Sequence, residues 1–281
     1  MAVTTEHVEI TSLSLSSSAV MAATPLVKAL YRALLETTRS LEGSPLRLRL
    51  PVSQAAVQWM GREKPQFSFV PATSAARALF PSSRNFELPA EADSPVLEPE
   101  AVRRIIRGGF RQPLAPGADG ADLGLYALKV LHGQLAMARR SSAVRSEGDG
   151  GAALLVEATS AYRGKDGGSH VFQYRLRLTN VGTVPVQVVG RGWEIRNADG
   201  SPHATVPRGS PGLVGQTPRL LPNGEAFEYA SGTTLATPTG TIEGTLQVMT
   251  LTGEDGSGTG VGGRFDAVVG RFRCDAGETE Q

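Results

Sequence analysis

Phe172-Gln173-Tyr174-Arg175-Leu176-Arg177-Leu178-Thr179 alternates apolar and polar side chains without a break. Successive strand side chains point to opposite faces, so this stretch reads as a strand with one buried and one wet face. Downstream, residues 184–189 and 193–196 repeat the β signature, and Asn197-Ala198-Asp199-Gly200 supplies turn chemistry. A Pro/Gly-rich loop is expected over residues 207–218. Further strands are expected over 226–230, with Phe227 and Tyr229 on one face, over 242–251, with Ile242, Leu246 and Val248 inward, and over 265–273. With residues 154–162 as the opening strand, about seven strands with frequent turns and no helical period predict an immunoglobulin/fibronectin-III-like β-sandwich.

The order of motifs inside this region resembles the ApaG family. They are YRLRLTN from Tyr174, GRGWEIRNADG from Gly190, RGSPGLVGQTPRLLPNGEAFEYASGTTLATPTGTIEG from Arg208, and FRC ending at Cys274. The resemblance covers roughly residues 152–274. It implies a sandwich that offers loops and a sheet edge to a protein partner. The family usually carries G-x-G-x-x-G, whereas the glycines here are Gly209, Gly212 and Gly215, with one extra residue between the first two. Glycine loops aim backbone N–H groups at phosphate when they open a helix. Here Gln216-Thr217-Pro218 follows, and Pro218 and Pro222 argue against a helix and its dipole. Two readings of Gly209, Gly212 and Gly215 stand: a structural loop, or an anion site for a pyrophosphate- or nucleotide-containing ligand or a divalent ion. The second would make the chain a small-ligand binder or hydrolase.

The first half of the chain is helical. Leu26, Leu30, Ala33, Leu34, Thr37 and Leu41 follow helical spacing, with Thr24 as N-cap, Pro25 at the first helical position, and Gly43 and Pro45 beyond the end. A second helix is expected from Pro99, with Glu98 and Glu100 at its positive end and Val102, Ile105, Ile106 and Phe110 as its apolar face. A third is expected from Asp122, with Leu123, Ala127, Val130, Leu131 and Leu135 inward and Arg139 and Arg140 at its negative end.

The segments ALYRALLETTRSLE, VRRIIRGGFRQP and LGLYALKVLHGQL, in that order, resemble the LYR family. Its first helix carries Leu-Tyr-Arg, here Leu30, Tyr31 and Arg32. Its second helix ends in Phe-Arg, here Phe110 and Arg111. The resemblance implies a three-helix LYR-like bundle interrupted by a long insertion over residues 44–97. It also implies a partner, the mitochondrial acyl carrier protein, whose acyl-phosphopantetheine chain enters between the helices. No cofactor of the chain's own is implied, and mitochondrial localisation follows from this resemblance alone, with a cytoplasmic site as the alternative. Arg103, Arg107 and Arg111 recur every four residues with Arg104 beside them, while Lys28, Arg32 and Arg39 do nearly the same on the first helix. Such stripes suit an acidic partner, or form an ordinary solvated face. The insertion is rich in proline and aromatic residues, with a short helix expected over 52–60.

Domain organisation follows as a flexible N-terminus over 1–23, a helical domain over 24–140, a Ser/Gly/charge-rich joint over 141–151, the sandwich over 152–274, and a tail over 275–281. The formal net charge is +1, and 17 of 28 basic and 14 of 27 acidic residues precede Gly150, so neither half has the basicity of a dedicated nucleic-acid binder. A single cysteine, Cys274, excludes an internal disulfide and a thiolate metal cluster. No apolar run approaches the roughly 20 residues of a membrane-spanning helix. His7, His132, His170 and His203 are scattered, and no nucleophile elbow or phosphate-binding Walker sequence occurs. No catalytic or metal-ligating residue is therefore assigned, and the expected function is a non-enzymatic adaptor or assembly factor.

Overall fold

A computed structural model describes residues 25–41, 48–49, 68–70, 79, 96–111, 119–213, 216–222, 226–252 and 261–277. The predicted elements at Thr24, at 52–60 and in both end segments 1–23 and 278–281 lie outside the described residues.

Among the described residues the three expected helices form where the apolar spacing places them: α1 (Pro25–Arg39), α2 (Pro99–Gly109) and α3 (Gly120–Arg140). Pro99 opens α2, and the Asp119 carboxylate caps α3 by accepting from the Ala121 N–H at 2.7 Å. Leu34 of α1, Val102, Ile105 and Ile106 of α2, and Ala127 and Leu131 of α3 share one fully buried cluster, joined by Leu41 and Leu79. Residues i, i+3 and i+4 lie on one helix face, so each helix reaches this cluster with a single stripe. Two short strands of the insertion, β1 (Leu48–Arg49) and β3 (Val96–Leu97), pair antiparallel with each other.

The sandwich has two sheets. One is ordered β2-β10-β6-β5-β4 and the other β12-β11-β7-β8, with β9 also pairing β7. The strands are β2 (Ser68–Val70), β4 (Ser142–Glu147), β5 (Ala153–Asp166), β6 (Ser169–Asn180), β7 (Val186–Asn197), β8 (Pro202–Pro211), β9 (Arg219–Leu220), β10 (Ala226–Leu235), β11 (Thr239–Leu251) and β12 (Val261–Asp275). Phe172, Tyr174, Leu176 and Leu178 of β6 meet Trp193 and Ile195 of β7, Leu246 of β11 and Phe272 of β12 in one core.

Four expectations change. The joint expected over 141–151 is instead β4, which pairs with β5 from Ser142↔Ala158 to Glu147↔Ala153, followed by a single 3₁₀ turn. Only Ser141 separates α3 from β4, so the boundary is a corner rather than a tether. The loop expected from Pro207 begins as strand, because β8 runs to Pro211 as an edge along β7. The insertion is not confined to the helical half, since β2 pairs with β10 of the sandwich. Finally, the expected wet face of β6 is covered: Gln173, Arg175 and Arg177 are all buried, as are Glu157 of β5 and Glu228 of β10.

Burial of this face follows from the cross-strand register. Glu157, Arg177 and Glu228 stand side by side across β5, β6 and β10. Arg177 Nε lies 3.2 Å from Glu228 Oε1, though not aligned for a hydrogen bond, and Arg175 Nη1 lies 3.9 Å from Glu228 Oε2. Opposite charges in adjacent strands can be buried together where either would be too costly alone. The C-terminal turn of α3 lies over this face: Met137 Sδ is 4.0 Å from Arg175 Nη2, and the buried Arg140 donates from Nε to the Ser160 carbonyl at 3.1 Å. Arg140 therefore anchors the helices to the sandwich rather than only complementing a helix dipole.

Candidate functional site

Local helical packing assembles the predicted helical site. Leu30 is buried, and a Cβ placed on Gly124 of α3 would come within 3.0 Å of its Cδ1, so the Leu30 side chain occupies the space that glycine leaves open. One residue on, Tyr31 turns toward α2 and meets Phe110 with ring centroids 5.2 Å apart and planes tilted by 49°. Arg32 is exposed on the next position round the helix. The tripeptide thus sends one side chain to α3, one to the end of α2 and one outward.

The arginine stripe divides. Arg103 donates from Nε to the Thr38 hydroxyl of α1 at 3.1 Å and from Nη1 to Glu100 at 2.8 Å, and Arg107 reaches the same carboxylate at 3.3 Å. Arg104 and Arg111 are exposed. Glu100, expected from the sequence only as a charge at the positive end of α2, is also the shared partner of both arginines. The i, i+3 spacing to Arg103 and the i, i+7 spacing to Arg107 were the available signal.

The glycine loop has a different geometry from a phosphate cradle. Gly209 and Gly212 have φ of 89° and 47°, which L-residues with a Cβ rarely adopt. The Gly209 N–H donates to Gln247 Oε1 at 3.1 Å, and the Gly212 N–H donates to the Val189 carbonyl at 3.0 Å. Arg191 Nη1 donates to the Pro211 and Gly212 carbonyls at 2.7 and 2.6 Å. The Gly209 amide is thus engaged by a side chain of β11 and the Gly212 amide by the backbone of β7, while Arg191 braces the loop carbonyls and Arg208 pairs with Asp266. Gly215, the third residue of the proposed anion set, lies outside the described residues.

Elsewhere the ionisable groups are explained by packing. Burial raises the Tyr174 phenol far above its ordinary range, reinforced by the neighbouring Tyr229. Burial likewise pushes the Cys274 thiol up to about 12, opposed by a hydrogen bond with Ser160, which makes the thiolate scarce at neutral pH. His170, His132 and His203 are not brought together, and among the described residues no three His, Cys, Asp or Glu side chains lie close enough to hold a metal ion. No described helix is long and apolar enough to cross a membrane.

The two packed sheets, their glycine-bearing bulges and the helical extension define a β-sandwich domain carrying a helical module. Comparison with known proteins makes this specific. A model of the ApaG domain matches residues 161–250. Protein ApaG of Thiobacillus denitrificans is 43% identical over 103 residues, spanning 37% of this chain and 71% of that protein. Protein ApaG of Aromatoleum aromaticum is 40% identical over 118 residues, spanning 42% and 83%. Among solved structures, a Bordetella pertussis structural-genomics target described as an ApaA protein is 35% identical, covering 46% of this chain and 98% of its own, at a TM-score of 0.39. The chain belongs to the ApaG family. The family-model match lies in the sandwich.

Proposed function

We propose that the chain is a non-enzymatic adaptor in which the helical module docks acyl carrier protein and the sandwich binds a second protein. The observation that carries the first half is the Tyr31–Phe110 contact, which joins the Leu-Tyr-Arg and Phe-Arg motifs across α1 and α2. Arg32 and Arg111, one from each motif, are both exposed. Two exposed guanidinium groups flanking a shared aromatic contact suit an acidic helical surface, and Tyr31 and Phe110 pack on the apolar cluster of the three helices, which an acyl chain would have to part. Any acyl-phosphopantetheine group would come with the partner. The same reading places the protein in mitochondria, where that carrier resides.

Affinity purification of the full chain from its own cells, followed by intact mass measurement, tests this. Co-purifying acyl carrier protein is expected, falling at least about tenfold when Arg32 and Arg111 are both changed to Glu, since charge reversal at a complementary surface costs several kcal/mol. Undiminished capture by that variant, or a cytosolic location of the full chain, would refute the reading.

A further inference from the structure

The sandwich edges differ in how they are closed. β12 is sealed against the other sheet by serines: Ser142 Oγ donates to the Gly270 carbonyl at 2.6 Å, the Val268 N–H donates to Ser146 Oγ at 2.8 Å, and the Ser160 hydroxyl donates to the Arg273 carbonyl. β8 carries Pro202, Pro207 and Pro211, which have no N–H to offer, and Gly209 at positive φ bends it. Prolines and bulges are the ordinary protection of an exposed edge. β10 has neither device. Its residues Ala226–Leu235 contain no proline, and among the described residues its outer side is covered at Ala226, Phe227 and Glu228, which pair with Val70, Phe69 and Ser68 of β2. Among the described residues no strand lies along the outer side of residues 230–235, where Gly232 and Thr234 are exposed.

The strand seated there comes from the insertion between α1 and α2, more than 150 residues away in sequence. Its reach is limited by composition. Continuing the observed register would bring Pro65 opposite Ser231, where the missing N–H ends a ladder, and Pro71 follows Val70 at the other end. Among the described residues the chain therefore covers part of this edge, with Ser68–Val70.

We propose that β10 is a strand-docking edge, occupied in cis by Ser68–Val70, and that its partner is an extended, proline-free segment of another protein that pairs antiparallel along residues 226–235 in place of β2. This rests on the adaptor reading and locates the sandwich's share of it. Main-chain pairing along ten residues supplies affinity that three cannot match, and the tethered strand sets the threshold a partner must exceed, since tethering presents β2 at a high effective concentration.

The probe is the ten-residue peptide TVTVTQFSFV, which keeps residues 66–70 and replaces what precedes them with a proline-free β-branched run. It is titrated against three forms of the full chain. Phe69→Pro, which removes an amide from β2, should bind it at least about tenfold more tightly than wild type. V70C/A226C, whose cysteines fall at paired positions, should lose binding when oxidised and regain it on reduction. Hydrogen exchange should slow over residues 226–235 on binding. Equal affinity for all three forms, no binding to Phe69→Pro, or protection elsewhere overturns the proposal. So does a wild-type mass that doubles with concentration while Phe69→Pro stays monomeric, because the occupant would then be a second copy. Acyl carrier protein capture, measured on the same Phe69→Pro preparation, separates failure of strand docking from failure of the adaptor reading.

Discussion

Gly244 and Glu228 show how single residues constrain the sandwich. A methyl group on Gly244 would overlap the Gly192 carbonyl oxygen and come within 2.6 Å of Trp193 Cε3, so backbone as well as side chain must move. Gly244→Ala is expected to lower stability by about 1–3 kcal/mol, the usual cost of overpacking a dense core, read as a fall in the denaturation midpoint. Removing the Glu228 carboxylate as Glu228→Leu leaves Arg175 and Arg177 buried beside an apolar side chain, and a loss of about 3–5 kcal/mol is expected in chemical denaturation. Glu243 gives the pH dependence. The Arg271 guanidinium donates to both its carboxylate oxygens, at 3.0 and 2.9 Å, and that hydrogen bonding holds its pKa below the ordinary 4.5. A depressed carboxylate stabilises the fold above its unfolded pKa, and the contribution disappears as pH falls through the folded value. Stability should therefore decline on acidification below about 4.5, less steeply in Glu243→Gln; an unchanged acid slope in that variant would exclude this pair as a source.

Among the elements, the α1–α3 contact depends on the absence of a side chain at one position. Leu30 occupies the space above Gly124, so Gly124→Leu should force α1 away from α3 and weaken the shared cluster. The expected result is a loss of about 1–3 kcal/mol with increased amide exchange in α1 and unchanged exchange in β5 and β6. The helices were legible in sequence because their apolar spacing and caps are local: Pro99 and Asp119 stand where α2 and α3 begin. β4 and β8 were not. Ser142–Glu147 is polar and flanked by glycine, and β8 is crowded with proline, so only pairing with β5 and β7 makes strands of them.

At the scale of the whole molecule, α3 enters β4 through a single residue and Arg140 is buried against the Ser160 carbonyl. Helices and sandwich should melt in one cooperative transition. Arg140→Ala, which removes a donor to a buried carbonyl, should cost about 1–3 kcal/mol and bring forward loss of helix relative to sheet, seen as divergence of far-ultraviolet and tryptophan signals. Sequence by itself determined the sandwich strands with alternating side chains, the three helical stripes, the turn glycines and the family, because each is written in neighbouring residues. Tertiary structure alone decided that the arginine face of β6 is buried, that Gln247 and the Val189 carbonyl take up the Gly209 and Gly212 amides, and that the insertion reaches the sandwich at β10. In each case the partner is remote in sequence, and a residue's own pattern does not encode which charge, carbonyl or strand edge will stand opposite it.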